Sequence, residues 1–346
     1  MSDRLVEYSP PSWASHLKHI PTHTVKLAMT PTPIQRWKLP GAPESFQVFV
    51  KRDDLTGSLM SGNKVRKLEF LLAEAMVNSC KHVITTGAVT SNHCRATAVA
   101  CAELGLKAHL CFMSNVEKVS DLSVDGNMLI NTLVGADMRV IDTNSFPCVQ
   151  QHMEKLASEI KESSGEKSSI VPTGGSNLTG IWGYLQCFQE IQDQSLEFDD
   201  LVCVCGSVAT VSGLAIANYL CGSPYKIHGV KVGVNCDANE IVNDMLAGLG
   251  ITGVSVGDIV SLYEGYEGLG YARSQPLELE LIAQVAAATG IILDTTYTGK
   301  AAFGMYELMS NRPEVFKGRR ILFLHSGGAP SLHTAAVSSA LLPHTT

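Results

Sequence analysis

Short apolar runs alternate with helical patterns along most of this chain, and that alternation narrows the folds open to it. Gln47 to Val50, His82 to Thr86, Ala108 to Phe112, Met138 to Ile141, Ser169 to Val171, Leu201 to Cys205, Ile227 to Val234 and Ile321 to His325 read as strands. Helical spacing lies between them, at Asn92 to Leu104, Met153 to Glu162 and Leu277 to Thr289. Short strands that are apolar on both faces and separated by helices predict a largely parallel sheet covered on both sides, an α/β class. No unit of roughly 20 to 50 residues recurs, which excludes a solenoid. The 346 residues are enough for two domains of ordinary size. The polar stretch Gly165 to Ser169 is too short to be a linker between independent units.

Hydrophobic residues make up 45% of the chain and charged residues 17%, which implies a large core. The net charge of −7, with no stripe of Lys and Arg, argues against a nucleic-acid partner. No apolar run is long enough to span a bilayer. The first twenty residues hold Asp3, Glu7 and two prolines and lack an apolar segment, unlike a secretory signal. Arg4 and Lys18 are their strong bases, few for a mitochondrial transit peptide. Ten cysteines show no C-x-x-C and no Cys/His spacing suited to zinc, so no metal site is expected. Cys101, Cys111 and Cys187 lie in apolar segments and are expected to pack as small hydrophobes. A reducing, cytoplasmic location is expected, with a mitochondrial one as the alternative.

Three stretches could carry chemistry. In Ser61 to Glu69 a polar turn with Gly62 leads into Leu68, Leu71, Leu72, Ala75 and Met76, whose spacing is helical. Lys64 sits at that junction, with Arg66 and Lys67 just beyond. The bland reading is a solvated first turn, but three cations at a helix start oppose the helix dipole. The functional reading is a fixed lysine placed to form a Schiff base. In Thr85 to Asn92 a strand is followed by a helix start, where Ser91 or Asn92 could cap the helix or help bind a carboxylate. Gly206, Ser207, Val208, Ala209 and Thr210 join an apolar strand to the helical pattern Val211 to Tyr219. Backbone N–H groups at such a turn can cradle a phosphate, and Thr210 would add a hydroxyl.

The stretch around Lys64 resembles the cofactor-lysine motif of the D-cysteine desulfhydrase and 1-aminocyclopropane-1-carboxylate deaminase family. The resemblance recurs at Thr86 to Arg95, Pro172 to Asn177, Asp294 to Lys300 and His325 to Gly328, and spans roughly residues 30 to 335. Cys94 to Ala98 and Gly180 to Tyr184 are most similar to the plant-type branch. The resemblance implies an enzyme dependent on pyridoxal 5'-phosphate (PLP) with the tryptophan synthase β-like fold of two αβα domains. The larger would comprise residues 1–65 and 175–346 and the smaller, inserted one 66–174. It makes Lys64 the residue that carries PLP and Ser91 the substrate-contacting serine opposite it. It places Asn92 at the cofactor's ring hydroxyl, Asn63 beside the ring and Ser326 at the pyridine nitrogen, where the family usually has threonine. Tyr297 and Tyr271 correspond to its active-site tyrosines. The expected reaction is elimination from D-cysteine to pyruvate, ammonia and hydrogen sulfide, in a homodimer acting on a small amino acid. The alternatives are the cyclopropane deaminase, an amino-acid racemase or dehydratase, and a catalytically silent binding relative. Thr298 stands where the deaminases have glutamate, which argues against ring opening.

Overall fold

The computed structural model describes residues 4–114, 116–141, 146–233 and 237–341. The chain opens with β1 (Leu5–Glu7), β2 (His23–Val25), β3 (Ile34–Arg36) and β4 (Gln47–Lys51). Then come β5 (Cys80–Ala88), β6 (Lys107–Met113), β7 (Asp137–Ile141) and β8 (Lys167–Val171). The last strands are β9 (Asp200–Cys205), β10 (Lys226–Lys231), β11 (Ser261–Tyr263) and β12 (Arg320–Leu324). β5 to β8 form a parallel sheet in the order β7-β6-β5-β8. A larger sheet runs β11-β10-β9-β12-β4-β3, parallel except for β3 against β4. It unites segments far apart in sequence: Gln47 pairs with Arg320 across the β4–β12 ladder. β1 and β2 form a separate antiparallel ribbon.

The apolar runs find the parallel sheets that their composition requires. Every residue of β9 is buried. Leu201, Cys203 and Cys205 pack into the core on one face of the larger sheet, and Val202 and Val204 into the core on the other. β12 divides the same way, with Leu322 and Leu324 on the first face and Ile321 and Phe323 on the second. This two-sided burial is why these strands show no polar alternation. β10 ends at Lys231, short of the expected end at Val234, which lies outside the described residues. β1, β2, β3 and β11, each three residues long, have no signal in the sequence pattern.

Helix α1 (Asn63–Val77) connects the two sheets in sequence and packs against α2 (Asn92–Leu104) and the helix Trp182–Asp193. Its first turn explains two of the three awkward cations. Arg66 donates to both oxygens of Asp53, at 2.8 and 2.7 Å, and to Glu190 at 2.9 Å. Tyr184 and Thr32 also donate to Asp53, and Lys51 donates to Glu190 and to the Thr32 carbonyl. Burial pushes the Asp53 carboxyl upward, but Arg66 and Lys51 outweigh it and hold the carboxyl below its usual range. Lys67 is buried and donates to the Gly174 carbonyl at 3.2 Å.

Removing one partner of such a cluster leaves an uncompensated buried charge. Arg66→Met is therefore expected to lower unfolding stability by about 3–5 kcal/mol, read from urea or thermal unfolding of the whole chain. A loss below about 1 kcal/mol would show that the cluster does not brace α1.

Candidate active site

The carboxyl ends of strands from both sheets converge on one cleft. Ser91 and Asn92 follow β5, Gly174 follows β8, Gly206 to Thr210 follow β9 and Ser326 follows β12. Ligands in open α/β sheets bind at this end of the strands, where helix N-termini and turn amides face inward. The cleft encloses about 480 Å³, part of it open to solvent. Its walls are Ser61, Asn63, Lys64, Asn92, Val204, Gly206, Ser207, Val208, Thr210, Tyr297, Ser326, Gly327 and Gly328.

Lys64 is the second residue of α1. The turn before it needs Gly62, whose φ is +104°. A Cβ on Gly62 would fall 2.6 Å from the Ser326 carbonyl oxygen. Asn63 N donates to that same carbonyl at 3.0 Å, so the turns bearing Lys64 and Ser326 are locked together. The Asn63 amide also donates to Thr210 at 3.0 Å, tying Lys64 to the far side of the cleft. Burial lowers the Lys64 ammonium to about 8. On the order of one tenth of the amine is then neutral at pH 7, far more than for an ordinary lysine, and that neutral form is what a nucleophile or base requires.

The turn after β9 is shaped by Val208, with φ +70°. A β-branched residue in this region is strained, by about 1–3 kcal/mol, and such strain gathers at functional turns. Val208 persists because its side chain is buried in the core cluster with Leu322 and Leu324. The helix Ala209–Leu220 starts immediately after it, which directs the positive end of its dipole at the cleft. Gly206, Ser207, Val208 and Thr210 line the cleft, and the side chain of Ala209 is fully buried. Ser176 donates to the Ser207 carbonyl.

Ser91 caps α2: its hydroxyl oxygen accepts from Cys94 N at 3.2 Å. The capping reading is therefore realised, and Ser91 is buried next to the cleft-lining Asn92. Asn92 does line the cleft, held by Asn127, which donates to the Asn92 side-chain oxygen at 3.0 Å and to the Thr90 carbonyl at 2.7 Å. Tyr297 lines the cleft, and its hydroxyl is 2.9 Å from that of Tyr271, which is 39% exposed and joins the site through this contact. Thr298 is fully buried, with its hydroxyl donated to Asp294 at 2.7 Å. No carboxylate is among the cleft-lining residues described. Sequence reasoning gave no role to Val204, Gly327, Gly328 or Asn127. The paired glycines after β12 were the available signal for two of them; Asn127 had none.

The chain matches the family model described as "Pyridoxal-phosphate dependent enzyme" over residues 25–327. It is 42% identical to the mitochondrial bifunctional D-cysteine desulfhydrase/1-aminocyclopropane-1-carboxylate deaminase of Arabidopsis thaliana, across 96% of this chain and 85% of that protein. It is 33% identical to the D-cysteine desulfhydrase of Yersinia pestis, across 83% of this chain and 88% of that one. A solved structure of a homologue of 1-aminocyclopropane-1-carboxylate (ACC) deaminase superposes with a TM-score of 0.82 at 31% identity, covering 97% of this chain and all of that one. The chain belongs to the pyridoxal-phosphate dependent enzyme family. It is an α/β enzyme of the tryptophan synthase β-like type, and PLP is its cofactor.

The residues fit that group. A Cβ on Gly174, where φ is +68°, would fall 2.3 Å from the Ser207 hydroxyl oxygen and 3.5 Å from Lys64 Nζ. The missing side chain keeps open the space between lysine and cradle. Gly174→Ala is expected to cost about 1–2 kcal/mol of stability from the left-handed backbone alone. It should also weaken PLP retention at least tenfold, measured by equilibrium dialysis. Unchanged retention would mean that this space is not used.

Proposed function

We propose that this chain is a lyase that eliminates the thiol from D-cysteine, giving pyruvate, ammonia and hydrogen sulfide. The observation that carries this reading is a buried lysine of lowered pKa, opposite a helix-start cradle, in a cleft whose described lining holds no carboxylate. The names of the Arabidopsis and Yersinia relatives support the substrate. PLP, when bound, supplies an electron sink for a carbanion at the substrate's α-carbon.

The chain's own groups divide the remaining work. Lys64 Nζ would hold the cofactor covalently, and its free amine would accept the substrate's α-proton. Gly206 to Thr210 hold the phosphate, with Ala209 contributing backbone only. Asn63 and Asn92 would flank the ring, and Ser326 would meet the pyridine nitrogen. A hydroxyl there does not hold that nitrogen protonated as a carboxylate would, so expulsion of a β-thiolate competes well with return of the proton. Ser91, at the start of α2, orients the substrate, and the Tyr297–Tyr271 pair closes the opposite side. The working frame is a larger unit of residues 1–65 and 175–346 with 66–174 inserted. The reading includes a homodimer in the cytoplasm. Cys80, Cys94, Cys101, Cys111, Cys187, Cys203 and Cys221 form no disulfide among the described residues, which agrees with a reducing compartment. No described helix is long and apolar enough to cross a membrane.

Lys64→Ala is expected to abolish both the cofactor absorbance band and turnover. In the wild type, the rate at which apoprotein takes up PLP should rise as pH increases through about 8, because the lowered lysine loses its proton there. Persistence of a borohydride-reducible attachment in the variant would transfer the role to another lysine.

A panel of D- and L-cysteine, D- and L-serine, β-chloroalanine and the cyclopropane acid, assayed for pyruvate and ketobutyrate, tests the substrate. Ser326→Asp tests the electronics. It should lower pyruvate release from D-cysteine at least tenfold while deuterium uptake at Cα continues. Equal loss of both would mean that Ser326 serves binding alone.

A further inference from the structure

One buried cation lacks the partners that Arg66 enjoys. Arg95 lies on α2, four residues after Ser91, and is fully buried. Its Nη2 donates to the Ser61 carbonyl at 3.1 Å, while Nε and Nη1 have no hydrogen-bond partner among the described residues. Burial alone shifts its pKa, down to about 10, and no carboxylate opposes it; the group is still charged at neutral pH. A buried charge with orphaned donors destabilises a fold, so stability does not account for this arginine.

Its one bond points to what does. Ser61 lines the cleft and begins the turn that delivers Lys64. The other described bonds of this turn come from the larger-sheet side. Gly62 N donates to Thr56 and to the Asp53 carbonyl, Asn63 N to Ser326, and the Asn63 amide to Thr210. Arg95 comes from the opposite side, on the helix that carries Ser91 and Asn92. We propose that Arg95 is a positioning residue for the reaction, which ties α2 to the Ser61 carbonyl and so sets Lys64 against Ser91 and Asn92 across the cleft.

The proposal rests on Lys64 being the cofactor lysine. Its test uses the holoenzyme and the best substrate of the panel above. Arg95→Met removes both the charge and the bond. Its melting temperature should equal or exceed that of the wild type, while kcat per bound cofactor falls on the order of 10- to 100-fold, as for small misplacements of reacting groups. KM should change far less. Arg95→Lys, which keeps a donor for Ser61, should recover part of kcat. Borohydride reduction and peptide mapping of each protein report occupancy of Lys64. If Arg95→Met is labelled at Lys64 and turns over at the wild-type rate, the proposal fails. It fails equally if the melting temperature drops while kcat per labelled Lys64 is kept, since that marks a brace. A wild-type label on another lysine overturns the Lys64 reading instead. Should Arg95→Met not fold, Arg95→Gln carries the same comparison: reduced kcat per labelled Lys64 supports the role, and wild-type kcat refutes it.

Discussion

A guanidinium clamped between two carboxylates sets the position of Lys64, the lysine proposed to carry the cofactor. Arg66 reaches back to Asp53, before the turn, and forward to Glu190 on the helix Trp182–Asp193. Successive residues of a helix are rotated by about 100°, so Arg66 and Lys64 project about 200° apart. Fixing Arg66 on the side of Asp53 and Glu190 therefore turns Lys64 to the other side, into the cleft. The same clamp prevents α1 from rotating or sliding. Lys67, one residue on, is occupied with the Gly174 carbonyl. Of three cations crowded into one helical turn, two are structural, and their placement selects the third for chemistry.

The cleft depends on close backbone approach as much as on side chains. Gly62 and Gly327 meet where the Lys64 and Ser326 turns touch, and a Cβ on Gly327 would fall 2.6 Å from the Gly62 Cα. Each sheet ends its strands at this place, so the site draws on segments distributed over most of the chain. Bonds such as Asn63 to Thr210 and Asn127 to Asn92 then orient individual side chains.

What could be read in the sequence follows the range of the forces involved. The strand runs in both sheets and the bounds of α2 are local matters of hydrophobic spacing, and they were visible. So was Lys64, because a polar turn before an apolar helix is a local signal. Arg66 looked like part of a functional anomaly because Glu190 lies 124 residues away and its pairing leaves no trace in spacing. The hydroxyl of Thr298 is held by the carboxylate of Asp294, four residues earlier, a pairing that the order of the motif does not reveal. Ala209 belongs to the cradle by order; its methyl is buried, which leaves its backbone as the part available to a ligand. The three-residue edge strands are too short for periodicity to register.

Val208 links the cradle to the interior in a way that bears on how the protein ages and how it tolerates change. Its unfavourable backbone angle is held in part by the packing of its side chain in the core of the larger sheet. The shape of the anion-binding turn is thus inherited from that core. Loosening of the packing, by heat or by a distant apolar substitution, would first appear as a weaker grip on the cofactor, well before the chain unfolds. Cofactor occupancy in this protein is in that sense a gauge of interior order.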